Sequence, residues 1–250
     1  MTALTPVLRG EIRKVLATPT LWWLLLGTIA IGVAGTVAPL VAANEDAADH
    51  LSDRDLQGAM HGAAAGVILV IVAGIIGMAG EWRFGQASQT FLTSPLRRQV
   101  VAAKALVYAG VGLAFGAAAD LACTATAWTW YRMDGVALPV GRSAVWLTLL
   151  GCLAVAVAFG LLGVAIGAVT RNQVVAIVGT MAWLVVVEPI LFELSSSVFR
   201  WLPGTASLAL RRMPAPHLLA PGTAAVELIL LTAALLAAGT WLVRRDDVTT

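Results

Sequence analysis

The sequence predicts an all-α, polytopic membrane protein with six transmembrane helices, and three observations carry that prediction. Hydrophobic residues make up 59% of the chain and charged residues only 12%, against roughly 25% charged in a soluble globular domain. The apolar residues gather into six runs, each near the ~20 residues that a helix needs to cross the hydrocarbon core of a bilayer. Nearly all charges fall between those runs, where the connections of a membrane protein place them. At 250 residues and a mean hydropathy of +0.87, the runs and their connections account for the whole sequence. Residues 1–250 therefore read as a single transmembrane domain, with no space for a large soluble one.

Residues 1–19 are read as an amphipathic helix lying along the membrane plane. Thr5 is placed to cap it and Pro6 to take its first position. Leu8, Ile12, Val15 and Leu16 recur at i, i+4, i+7 and i+8 as one apolar stripe, while Arg9, Arg13 and Lys14 cover faces turned to anionic headgroups. Thr18-Pro19-Thr20 breaks this helix, and Trp22 and Trp23 open the first span at the depth of an aromatic belt. The six spans are expected at about 21–41, 58–79, 105–129, 143–169, 174–192 and 223–243. The first has an apolar core of about 20 residues, longer than a signal-peptide h-region, and reads as a retained span.

An acidic loop with Glu45, Asp46, Asp49, Asp53 and Asp55 joins spans 1 and 2, and a tight turn from Thr170 to Gln173 joins spans 4 and 5. Segment 193–222 is polar and proline-rich yet keeps Phe199, Trp201 and Leu208; it is expected on the outer side, re-entering the interface as short helices. Glycines four apart, as at Gly62 and Gly66 or Gly163 and Gly167, allow close helix approach and are read as packing within one subunit. Cys123 and Cys152 lie inside apolar runs and read as packing residues.

Orientation follows from the basic residues. With the N-terminus inside, the inner segments hold Arg9, Arg13, Lys14, Arg83, Arg97, Arg98, Lys104, Arg171, Arg244 and Arg245, which is ten of the 16 Lys and Arg. The positive-inside rule then puts both termini in the cytoplasm. The same dispersal, with a net charge of +2, leaves no basic stripe for nucleic acid.

Enzymatic patterns are absent: there is no GxxxxGK[ST], no HExxH and no GxSxG, and His50, His61 and His217 do not cluster in sequence. The chain is expected to hydrolyse no ATP, to bind no metal and to carry no cofactor of its own. The polar passage that stands out is Gly80 to Lys104, between spans 2 and 3. Gln86 to Leu92 has helical spacing, Ser94 and Pro95 then cap and start the helix that runs into span 3, and Phe91 and Leu92 offer apolar knobs. The expected element is a helix-turn-helix protruding into the cytoplasm.

On these residues the chain resembles the membrane subunit of ABC-2 type transporters. That family has an interfacial elbow helix before span 1. Its loop after span 2 carries an acidic residue, a Gly-x-x-(Ser/Thr) run, a Ser/Thr-Pro step, a basic residue and a lysine heading span 3, here Glu81, Gly85 with Ser88, Ser94-Pro95, Arg97 and Lys104. In QASQT, Gln86 to Thr90, the threonine stands farther from the glycine than in many members. The resemblance implies a cytoplasmic coupling helix formed by Glu81, Arg83, Gln86, Ser88, Thr90, Phe91, Leu92, Ser94, Pro95 and Arg97. It implies two copies of a cytoplasmic ABC ATPase that bring ATP and Mg, a second permease subunit in a homo- or heterodimer, and surrounding membrane lipids. The implied activity is export of an amphipathic small molecule, drug or lipid across a bacterial cell membrane. The alternatives are a non-transport scaffold or assembly factor, and a secondary transporter.

Three acidic residues fall inside the spans, where charge is expensive and so marks a candidate site. Asp120, Glu188 and Glu227 all lie in the outer half on this topology. They are read as candidates for a substrate pathway, Glu227 also as a first-turn carboxylate and Glu188, beside Pro189, at a helix end.

Overall fold

The computed structural model describes residues 4–42, 52–83, 97–213 and 215–245, and their regular structure is helical throughout. Helix α1, Leu4–Ala17, begins one residue before the expected Thr5 cap, so Pro6 sits in the first turn; an N–H lost there has no partner in a helix anyway. Thr18 alone separates it from α2, Pro19–Ala42. Then come α3, Asp53–His61, a 3-10 stretch Gly62–Val67 and α4, Ile68–Arg83. Helix α5, Arg97–Met133, is followed by α6, Ser143–Thr170. Helices α7, Gln173–Ala182, and α8, Glu188–Leu194, are joined by a π-helical turn, Trp183–Val187. The short α9, Ser196–Phe199, and α10, Pro203–Leu210, lead to α11, Pro221–Arg245.

Among the described residues, six helices are long and apolar enough to cross a membrane: Pro19–Val41, Leu56–Arg83, Arg98–Met133, Ser143–Thr170, Gln173–Leu194 and Pro221–Val243. They match the six expected spans, but the third is longer than expected, running from Arg98 to Met133 against about 105–129. The second begins at Leu56, inside the segment read as an acidic loop, because Leu56, Ala59 and Met60 are buried against Tyr131, Leu138 and Val145.

Helix α6 is the hub, with α4, α5 and α11 packed along it. Spans 2 and 4 are the interior, with 72% and 61% of their apolar windows buried, whereas span 5 is only 11% buried and turns Val174, Val175, Val178, Val185 and Val186 outward. Glycine sets the closest approach. A Cβ on Gly74 would stand 2.5 Å from the Gly160 carbonyl, and one on Gly163 would strike Ile71 O, so α4 and α6 touch backbone to backbone. Gly62 and Gly66 do the same against Thr36 and Thr28 of α2. The expected intra-chain role of the spaced glycines is thus what the packing shows.

The 170–173 turn is tight, as expected: Arg171 adopts a left-handed backbone at φ 52, and Asn172 caps α7 by accepting from Val174 and Val175 N–H, each at 3.1 Å. Span 5 departs from expectation at Pro189. The helix does not end there but continues to Leu194, and the π turn immediately before the proline absorbs the missing N–H and the ring. Cys123 and Cys152 are both buried and free.

Candidate functional site

Two places in the described residues gather charge inside an apolar fold. The first joins α1 to the facing ends of α4 and α5. Lys104 is 1% exposed in the long apolar α5, a position that a lone ammonium cannot hold. Its Nζ donates to Glu11 Oε2 at 2.7 Å and to Gly77 O at 2.9 Å, and pairs with Glu81 Oε1 at 2.9 Å. All three donors of the ammonium are thereby used. Lys14, at the edge of the site, bridges the same two acids, 2.7 Å from Glu11 Oε1 and 2.8 Å from Glu81 Oε1. Among these four side chains two ammonium groups answer two carboxylates, which is how charge becomes tolerable where Glu11 and Glu81 are almost fully buried. The ring of Tyr108 covers it by packing on Gly77, where no side chain fits.

The network corrects the reading of α1. Lys14 does not face the headgroups but turns inward onto Glu11 and Glu81. The apolar stripe stays on one side: Leu8, Ile12, Val15 and Leu16 all line one groove against α2 and α5, Leu8 and Val15 packing on the core while Ile12 and Leu16 stay exposed. Glu11 was not singled out from the sequence, although a signal was present. It is the only acid before Glu45, three residues from Lys14 on a basic helix.

Burial drives the Glu11 carboxyl up, but the charges and hydrogen bonds of Lys104 and Lys14 outweigh it and hold its pKa below the ordinary 4.5. Burial likewise lowers Lys14, and its bonds to Glu11 and Glu81 outweigh that and raise it above 10.5. A lowered acid stabilises the fold above its unfolded pKa and loses that contribution as pH falls through the folded one; a raised base does the reverse at the alkaline end. The attachment of α1 is therefore expected to hold between pH 4.5 and 10.5 and to weaken on either side. Hydrogen exchange of the α1 amides across pH checks this; protection that is flat from pH 3 to 7 would refute it.

Of the other loop candidates, Arg83 ends α4 and Arg97 begins α5. Gln86, Ser88, Thr90, Phe91, Leu92, Ser94 and Pro95 lie outside the described residues, as does Gly85.

The second place is a cavity of about 460 Å³ whose walls come from the 3-10 stretch, α4, α6, the π turn, α8 and α10. Glu188, 2% exposed, lines it. Its Oε1 accepts the Thr205 N–H at 2.6 Å, at the first turn of α10, and its Oε2 is buried with no hydrogen-bond partner. Gly204 makes room for the carboxylate: a Cβ there would stand 2.7 Å from Oε1. Arg211 lines the same cavity, its Nε donating to Ser207 O at 3.2 Å.

Of the three intramembrane acids Asp120 stands apart, while Glu227 is near enough to Glu188 for their charges to interact. Among the described lining residues Glu188 is present and Asp120 and Glu227 are not. Asp120 sits within α5 with Oδ1 buried and unpartnered. Glu227 lies in the second turn of α11, not the first, because that helix begins at Pro221; the first-turn dipole account of it fails. Among the described residues no group of three His, Cys, Asp or Glu is placed to hold a metal ion. The chain matches no protein-family model, and no curated protein matches it.

Proposed function

We propose that this chain is the membrane-spanning permease subunit of an ABC-2 type transporter, an exporter powered by a separate cytoplasmic ATPase. The observation that carries the reading is the buried network of Glu11, Lys14, Glu81 and Lys104. It ties the N-terminal helix to both ends of the loop between spans 2 and 3, so a push on that loop reaches α1, α4 and α5 as one body. A scaffold has no need of such a rigid frame around a single polar loop. In this reading α1 is the interfacial elbow, the expected coupling helix over Gln86 to Leu92 meets the ATPase, and both termini are cytoplasmic. The thinly covered faces of spans 1, 5 and 6 meet lipid and a second permease subunit. The chain supplies no nucleotide site, and ATP and Mg belong to the partner.

The deciding experiment is affinity purification of the tagged full-length chain from its native membrane. A Walker-A ATPase without membrane spans should co-purify, and a complex without any ATPase would overturn the reading. Topology is checked separately. Single cysteines at Asp49 and Arg142 are expected to react with an impermeant thiol reagent on intact cells, and one at Gln89 is expected not to. Labelling at Gln89 would place the loop outside, away from any cytoplasmic ATPase.

A further inference from the structure

We propose that the cavity beside Glu188 is a binding site for an amphiphile bearing a protonated primary or secondary amine. The amine sits against the free oxygen of Glu188, and the hydrocarbon body lies along Ala65, Phe159 and Phe192. As a statement about the exported substrate this rests on the transport reading; as a statement about binding it does not.

Four observations lead there. Glu188 Oε2 is a buried acceptor without a hydrogen bond, on a residue only 2% exposed, and it belongs to a wall of the cavity. Such an atom costs free energy until a donor reaches it. The carboxylate is not loose: Oε1 is fixed by the Thr205 N–H, the Gly204 N–H, the Thr205 hydroxyl and the Trp183 indole also face the group, and Gly204 leaves the space it occupies. The positive end of α10 favours negative charge at this point. The charged side chains lining the cavity are Glu188, Glu193 and Arg211, and Glu227 lies outside the lining but within electrostatic reach of Glu188, so the surroundings favour a positively charged ligand. The rest of the wall is mainly apolar, and about 460 Å³ suits a small amphiphile. An acceptor asks for N–H, which a quaternary ammonium lacks; the site is therefore expected to separate amines by their ability to donate, beyond their charge.

The test uses the full chain in nanodiscs at neutral pH, with a dansylated alkylamine displaced by decylamine, decyltrimethylammonium or decanol. Decylamine is expected to compete about tenfold better than either of the others, in line with one charge-assisted hydrogen bond. Glu188→Gln is expected to erase that preference while the protein stays monodisperse. Equal competition by all three, or a preference unchanged in Glu188→Gln, overturns the assignment. If Glu188→Gln does not accumulate, Leu208→Trp narrows the cavity from another wall and leaves the carboxylate in place; amine binding should fall there too, and unchanged binding overturns the proposal. Amine binding that depends on Glu188, in cells that do not export the amine, would keep the site and count against transport. Amine export indifferent to Glu188→Gln would keep transport and remove the site.

Discussion

Lys104→Ala is expected to lose most of the folded protein. The substitution leaves Glu11 and Glu81 buried at 4% and 5% exposure and removes the more buried of the two ammonium groups that bridge them, leaving Lys14 as the bridge. Removing one partner of a buried ion pair costs about 3–5 kcal/mol, a large part of the total stability of most domains. The yield of monodisperse protein after detergent extraction, and its thermal midpoint, report the loss. Lys14→Ala is the matched comparison: its side chain is 46% exposed, solvent screens it, and about 1 kcal/mol or less is expected. Adding Glu11→Gln to Lys104→Ala should restore part of the loss, because Glu81 then keeps Lys14 to itself. A Lys104→Ala protein that extracts and melts like its parent would mean that the network does not hold α1 in place.

The second large effect is expected at Phe91, through the partner and not through the fold. If Gln86 to Leu92 docks in a cleft of the ATPase, Phe91 is its aromatic anchor, and truncating such an anchor costs about 2 kcal/mol or more, roughly thirtyfold in affinity. Phe91→Ala is expected to insert and extract normally while the ATPase dissociates from it and transport stops. Glu81→Ala is a poorer probe of the same loop, because Glu81 also holds Lys14 and Lys104 and its loss acts on stability first. Wild-type ATPase binding and transport in Phe91→Ala would remove the loop as the transmission element.

The six spans could be read from residue order because a run of about 20 apolar residues has few alternatives to a membrane helix. Local chemistry was equally readable where neighbours in sequence settle it, as at the Thr18 break and the turn capped by Asn172. Which spans form the interior could not be read, since a helix surrounded by lipid is apolar on every side and shows no polar face to mark its outside. The glycines were visible as places of close approach, but that Gly74 meets Gly160 and Gly163 depends on how α4 lies on α6. The same limit applied to both charged sites. Glu11 and Lys104 are 93 residues apart, and no periodicity links them; only the docking of α1 makes them a pair. Glu188 stood out as an intramembrane acid, yet only the packing of α10 shows that it lines a cavity and accepts from Thr205 N–H, while Asp120 does not line it. Tertiary packing decides these pairings because a buried charge must find its partner wherever the fold supplies one.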